Sequence, residues 1–138
     1  MYQKITTGLA EARGPVSTAV TSGGFLFTAQ IAKDASGDIV PGDIRVQTRQ
    51  LLENLRTTVA AAGGTLRDVA QVVVYLIDKA DFDAMNEVYA SFFEAPYPAR
   101  ATVVVKELIA PGLRVEMVAV CHVDDGAGVR SQPPLLAG

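Results

Sequence analysis

Two apolar segments near the C-terminal end constrain most strongly what this chain of 138 residues can fold into. Residues 98–105 and 113–120 are rich in β-branched side chains and are bounded by proline and glycine, which is typical of buried strands. Each segment carries a charge that such a strand does not need, Arg100 in the first and Glu116 in the second. Because unpaired charges are costly in an apolar strand, both are candidate site residues. The alternative is that they neutralise each other across neighbouring strands.

Composition predicts a soluble domain that does not bind phosphate backbones. Hydrophobic residues make up 49% and charged residues 20% of the chain, as in ordinary globular proteins. A net charge of −3 argues against a nucleic-acid partner. We expect one domain over residues 1–123. Residues 124–138 turn to glycine, aspartate, serine and a Pro-Pro pair, and we expect a poorly anchored tail there.

The chain lacks the sequence features of a membrane, secreted or metal-binding protein. No segment approaches the roughly 18 apolar residues of a membrane span, and the first residues lack the apolar core of a signal peptide. The single cysteine, Cys121, excludes an internal disulfide, and the single histidine, His122, excludes a histidine-based metal site. We therefore expect a cytoplasmic protein with no metal. Cys121 is interpreted as a small buried apolar residue, and His122 as a surface or edge residue.

The order of periodic segments predicts an α+β fold with two layers. Strands are expected over residues 2–5, 16–21 and 25–31, over 69–77, and in the two segments described above. One helix is expected to follow Asp43 and to end at a Gly-Gly pair, and a second to follow Asp81. Strands under two helices leave one sheet face without a cover, so we expect contacts between subunits on that face.

Two local patterns identify further candidate residues. Alternation along the last strand places Cys121 on an apolar face and Glu116 and His122 on the opposite face. In the second helix an apolar stripe, which includes Phe82 and Tyr89, is interpreted as core. Asn86 lies one residue from that stripe, within reach of a buried pocket, and the alternative is a solvated or hydrogen-bonded helix residue.

The chain resembles the RidA (YjgF-like) family. The resemblance rests on the PARATV segment at residues 98–103, on Lys106 and Leu108, and on Val-Glu-Met at 115–117. Gly14-Pro15, the FTAQI strand at 27–31, the QLLENL helix at 50–55 and the aromatic residues around Asn86 follow the family order. The resemblance covers residues 13–123.

This resemblance implies a chorismate-mutase-like fold, a homotrimer whose three sheets form a central barrel, and active sites between subunits. It implies hydrolysis of reactive enamines and 2-imino acids to 2-keto acids and ammonia without a cofactor. The family's carboxylate-binding arginine matches Arg100, and its water-positioning glutamate matches Glu116. The remaining substrate-binding positions that it implies are Asn86, Thr28, Val16, Ala101 and Thr102.

Two positions depart from the family pattern, and three other functions stay open. Many deaminating members have a tyrosine at the position of Val16 and a cysteine at that of Thr102, so we expect imine hydrolysis with an altered substrate preference.

The main alternative is a trimer that binds small carboxylates without catalysis, or a chaperone-like or regulatory partner. Another is deamination of a ring-cleavage enamine such as 2-aminomuconate. RNA cleavage, attached to some members, is disfavoured by the acidic pI near 5.0 and by the lack of a histidine and lysine nuclease cluster.

Overall fold

The computed structural model describes residues 2–123, and these form one mixed sheet of six strands with two α-helices on one of its faces. This architecture confirms the predicted α+β class and the predicted order of elements. In chain order the elements are β1 (Gln3–Lys4), β2 (Ala19–Ser22), β3 (Phe25–Ile31), α1 (Ile44–Ala61), β4 (Val69–Leu76), α2 (Phe82–Phe92), β5 (Ala99–Val104) and β6 (Val115–His122). The tail expected at residues 124–138 lies outside the described residues.

The strand order determines which residues can meet. It is β1-β2-β3-β6-β4-β5, with β4 and β5 parallel and the other neighbours antiparallel. Strand β4 therefore separates β5, which carries Arg100, from β6, which carries Glu116. The alternative in which these two charges neutralise each other across neighbouring strands is wrong. Strand β5 forms an edge of the described sheet, because it pairs with β4 alone.

The core lies between the helices and one face of the sheet, called the helix face below. Leu51, Leu52 and Leu55 of α1 are fully buried there, as are Val72 and Val74 of β4. Alternation along β6 is as predicted: Val115, Met117, Ala119 and Cys121 are buried on the helix face, whereas Val118 and His122 are exposed on the other.

Local signals at the helix ends explain where the helices begin and end. The carboxylate of Asp43 accepts a hydrogen bond from the backbone N–H of Val46, which satisfies a free donor in the first turn of α1. After α1 the chain turns at Gly63, whose φ of 90° is accessible to glycine at little cost. Asp81 precedes α2 as predicted, but its side chain makes no capping bond. Instead its carboxylate accepts hydrogen bonds from Nε and Nη2 of Arg114, at 3.0 and 2.7 Å.

The opposite face of the sheet, called the open face below, has no helix over it among residues 2–123. Pairing registers place β3, β4, β5 and β6 side chains together on this face. Phe25 and Phe27 are 41% and 43% exposed, and Val103 and Val118 are 41% and 36% exposed. Contacts between subunits on this face, which are expected from the sequence, stay a prediction. Neither α1 nor α2 is long and apolar enough to span a membrane, and no other helix in the described range is.

Candidate active site

Arg100 is held at the edge of the sheet by three side chains of α2. The positions of Phe82, Asn86 and Tyr89 differ by four and three, so they lie on one side of the helix. Nη2 of Arg100 donates a hydrogen bond of 2.6 Å to Oδ1 of Asn86. The guanidinium carbon lies 4.5 Å from the ring centroid of Tyr89 and 6.0 Å from that of Phe82. Cation–π contacts and a charge-assisted hydrogen bond thus fix the orientation of the guanidinium.

This arrangement leaves Arg100 able to bind a carboxylate. A guanidinium has five N–H donors in a planar fork, and within residues 2–123 only the bond to Asn86 uses one of them. No carboxylate of the described residues forms an ion pair with Arg100. A half-buried arginine with free donors at a sheet edge suits two-point recognition of a planar anion.

Glu116 lies on the open face, on the other side of the sheet from Arg100. Its register partners are Ile31 on β3 and Tyr75 on β4. Burial raises the pKa of the Glu116 carboxyl, which suits a general base that must accept a proton. Two strand spacings and a three-residue offset separate Glu116 from Arg100, which gives about 14 Å between their Cα atoms. Within one chain these two side chains do not reach the same small molecule.

The backbone carbonyls of Ala101 and Thr102, two substrate-binding positions that the resemblance implies, face opposite sides of β5. The N–H of Val105 donates to the carbonyl of Leu76 on β4 at 2.7 Å. Because backbone groups alternate in direction along a strand, the carbonyl of Ala101 faces β4, whereas that of Thr102 faces the free edge. The side chain of Thr102 lies on the helix face with Arg100, and that of Ala101 lies on the open face. Thr102 is therefore the one of this pair that can offer a carbonyl to a ligand beside Arg100.

The other two predicted residues, Thr28 and Val16, lie away from this cluster within one chain. Thr28 shares the helix face with Arg100 but is three strands away, or about 14 Å. Its hydroxyl donates to the carbonyl of Thr18 and accepts a hydrogen bond from Gln30. Val16 is 62% exposed in the segment before β2. Neither contacts Arg100 in the described structure.

Tyr89 and Phe82 are site residues that the sequence pattern did not identify. Both belong to the apolar stripe of α2, which was interpreted as core, and Tyr89 is indeed only 4% exposed. The hydroxyl of Tyr89 nevertheless has no hydrogen-bond partner within the described residues. Burial raises the pKa of this phenol, so the group stays neutral beside Arg100. Their spacing around Asn86 was a usable signal, because it predicts that all three share one side of the helix.

His122 and Cys121 lie where the sequence pattern predicted. His122 is exposed at the end of β6, and its ring meets that of Phe25 edge-on at 5.2 Å. Cys121 is fully buried, and burial raises the pKa of its thiol to about 12, which makes it unreactive at neutral pH. No group of three metal-ligating side chains occurs in the part of the chain that the structure describes.

Comparison with known proteins identifies the family. Residues 7–123 match the family model described as endoribonuclease L-PSP. The chain belongs to this family. A RutC family protein of Pyrococcus horikoshii is 53% identical to it over 111 residues, which are 79% of this chain and 87% of the relative.

Comparison with solved structures confirms both the fold and the resemblance to RidA (YjgF-like) proteins. RidA from an Antarctic Psychrobacter has a TM-score of 0.81 at 35% identity and covers 88% of this chain and 99% of its own. Escherichia coli TdcF, solved with bound serine, has a TM-score of 0.81 at 34% identity over 88% of this chain and 99% of its own. The α+β, chorismate-mutase-like class is therefore shown.

Proposed function

We propose that this chain is an enamine/imine deaminase that converts reactive 2-imino acids to 2-keto acids and ammonia. The observation that carries the proposal is Arg100, whose guanidinium is oriented by Asn86 and Tyr89 with most of its donors free. A 2-imino acid offers a carboxylate next to its C=N carbon. Binding that carboxylate at two points would fix the position of the reacting carbon, and such positioning contributes much of a catalyst's advantage.

The proposed reaction needs one water and one base. Water adds to the carbon of the protonated imine while Glu116 accepts one proton from the water, and a neutral carbinolamine forms. Glu116 passes that proton to the nitrogen. As the C–N bond breaks, Glu116 accepts the proton of the carbinolamine hydroxyl, and a keto acid and ammonia leave. An enamine substrate first tautomerises to the imine. The carbonyl of Thr102 at the free edge of β5 would accept a hydrogen bond from the substrate nitrogen.

The geometry supports a site shared between copies of the chain. Because Arg100 and Glu116 lie on opposite faces of one sheet, a substrate on Arg100 would receive Glu116 from a neighbouring subunit. The apolar open face, with Phe27 and Val118 exposed, needs a cover of this kind. We therefore propose a homotrimer in which three open faces form a central barrel. Val16, which is exposed before β2, would join the site from the neighbouring subunit as well. Thr28 is only 4% exposed on the helix face, so its side chain is not expected to reach the shared site.

The comparisons are consistent with this proposal. Serine, the molecule bound to TdcF, carries the carboxylate and adjacent nitrogen that the proposed substrates share. The name of RidA from Psychrobacter agrees with the resemblance on which the activity was predicted. A ring-cleavage enamine such as 2-aminomuconate remains an alternative substrate.

We place the protein in a reducing compartment, the cytoplasm, which fractionation of the source cells would test.

A coupled assay tests the proposed activity. An L-amino-acid oxidase generates 2-imino acids, and semicarbazide traps whatever imine remains. We expect the protein to speed the loss of imine, Arg100→Ala to abolish this effect, and the exposed control Arg49→Ala to retain it. No acceleration with any imine, including one from an aromatic amino acid, would contradict the proposal.

A trimer that binds small carboxylates without catalysis is the second candidate, because Arg100, oriented by Asn86, has free donors for a carboxylate within one chain. The two candidates differ in their need for Glu116, which binding does not require. RNA cleavage, to which the family name refers, is less well supported. The chain has a net charge of −3, and its single histidine contacts Phe25 on the open face.

A further inference from the structure

A cleft of about 430 Å³ adjoins the Arg100 cluster. It lies between the start of α2 and the C-terminal ends of β4 and β5, on the helix face of the sheet. Its volume is within the range of roughly 300–1,000 Å³ that small-molecule sites occupy. The residues that matter for its chemistry are Leu76, Lys79, Phe82, Asp83, Thr102 and Val104.

The cleft and the carboxylate-binding group share walls. Phe82 lines the cleft, and its ring centroid is 6.0 Å from the guanidinium carbon of Arg100. Thr102 also lines the cleft and follows Arg100 on the same side of β5, about 7 Å farther along the strand. The side chain of a 2-imino acid leaves from the carbon next to its carboxylate. With the carboxylate on Arg100, that side chain can extend along β5 into the adjoining cleft.

The lining of the cleft determines which side chains it suits. Leu76, Phe82 and Val104 supply apolar walls, and Phe82 and Val104 are 38% and 52% exposed, so each still has surface to bury. Lys79 and Asp83 carry opposite charges, so the cleft has no net charge to attract an ionised side chain.

We propose that this cleft binds the substrate's side chain and selects 2-imino acids with extended, uncharged, apolar side chains over the alanine-derived one. This inference rests on the proposed function, since it takes Arg100 as the site of the substrate carboxylate. Each methylene that enters an apolar pocket contributes roughly 10-fold or more to discrimination. The leucine-derived imine is therefore expected to have a higher kcat/KM than the alanine-derived imine.

Filling the cleft tests the inference. Val104→Phe adds a ring to the wall at a partly exposed position, so the fold should tolerate it. We expect kcat/KM for the leucine-derived imine to fall by about 10-fold or more. The value for the alanine-derived imine should change less than about twofold, since a methyl group does not need the cleft. The matched control is Val46→Phe on α1, where the valine is 47% exposed and lines no part of the cleft.

Binding of products separates failure of this inference from failure of the proposed function. NMR titration with 4-methyl-2-oxopentanoate and with pyruvate measures the preference without turnover. If no imine is hydrolysed but the larger keto acid binds more tightly and loses that advantage in Val104→Phe, the cleft assignment stands and the deaminase proposal fails. Equal affinities in the parent protein, or equal losses for both ligands in Val104→Phe, would overturn the cleft assignment.

Discussion

The two faces of the sheet contrast sharply. On the helix face Val72 and Met117 are at most 1% exposed, whereas on the open face Phe27 and Val118 are 43% and 36% exposed. Both faces are built from apolar side chains of the same strands. The helix face is sealed by α1 and α2 of the same chain, and the open face has no such cover among residues 2–123. The comparison teaches that packing on the helix face stabilises the fold of one chain, whereas the open face is available for contacts with other chains.

The two candidate catalytic residues, Arg100 and Glu116, also lie on different faces of the sheet. Arg100 is on the helix side at the edge of β5, where α2 orients it, and Glu116 is on the open face. An active site that needs both must therefore combine the helix side of one subunit with the open face of another. The predictions below test this division.

The largest effect is expected from Glu116→Gln. The amide keeps the size of the side chain but accepts no proton, so kcat for imine hydrolysis should fall by roughly 10²–10⁴-fold. Binding of a keto acid, measured by NMR titration, should be almost unchanged because Arg100 provides it. A variant as active as the parent would show that Glu116 is not the base, and a variant with lost binding would place Glu116 in ligand recognition instead.

A core substitution on the helix face should have the next largest effect. Leu55→Ala removes a fully buried side chain and should lower the free energy of unfolding by about 2–5 kcal/mol. The control Val46→Ala, at a half-exposed position of the same helix, should change it by less than about 0.5 kcal/mol. Urea titration followed by circular dichroism gives both values. Equal effects for the two variants would contradict the assignment of the core.

A charge on the open face should disrupt assembly rather than the fold of the subunit. Val118→Glu places a carboxylate where subunits are proposed to meet, and burying it there without a partner is unfavourable. Light scattering should then report the mass of one chain in place of three, with the helical signal in circular dichroism retained. Val46→Glu serves as the control. A trimer that persists in Val118→Glu would contradict an interface on this face.

The smallest expected effect is on the pH dependence of stability. Because burial raises the pKa of Glu116, the folded protein holds this proton more tightly than the unfolded chain, so stability falls as pH rises from about 4.3 through the raised value. Glutamine does not titrate. The unfolding free energy of Glu116→Gln minus that of the parent should therefore be positive at pH 7 and diminish toward pH 4. A difference that grows on acidification would contradict the raised pKa.

Much of the fold was predictable because its signals are local. The run of apolar residues in β4, the alternation along β6 and the cap at Asp43 each determine structure within a few residues. Strand β2 begins at Ala19 rather than at Val16, because the chain around Gly14-Pro15 makes a tight turn in which the Val16 N–H bonds to the Gly14 carbonyl. The local sequence pattern does not show that the strand begins three residues after Val16.

The candidate site was predictable by residue type but not by arrangement. Arg100 and Glu116 stood out because each is a charge in an apolar strand, and Asn86 stood out because it lies one residue from an apolar helix stripe. Their relative positions depend on β4 lying between β5 and β6, a long-range pairing that no local pattern specifies. Tyr89 was interpreted as core because its position in an apolar stripe shows only that the ring is buried. The sequence pattern does not show whether the ring packs against leucine or contacts a guanidinium.

Mixed assembly of two inactive variants tests the shared site most directly. Arg100→Ala and Glu116→Gln are unfolded together in equal amounts, refolded and assayed for imine hydrolysis, with each variant refolded alone as the control. If each site takes Arg100 from one subunit and Glu116 from the next, random assembly restores about a quarter of the sites, and activity should return to about a quarter of the parent's. A mixture no more active than the variants alone would contradict a site built between subunits.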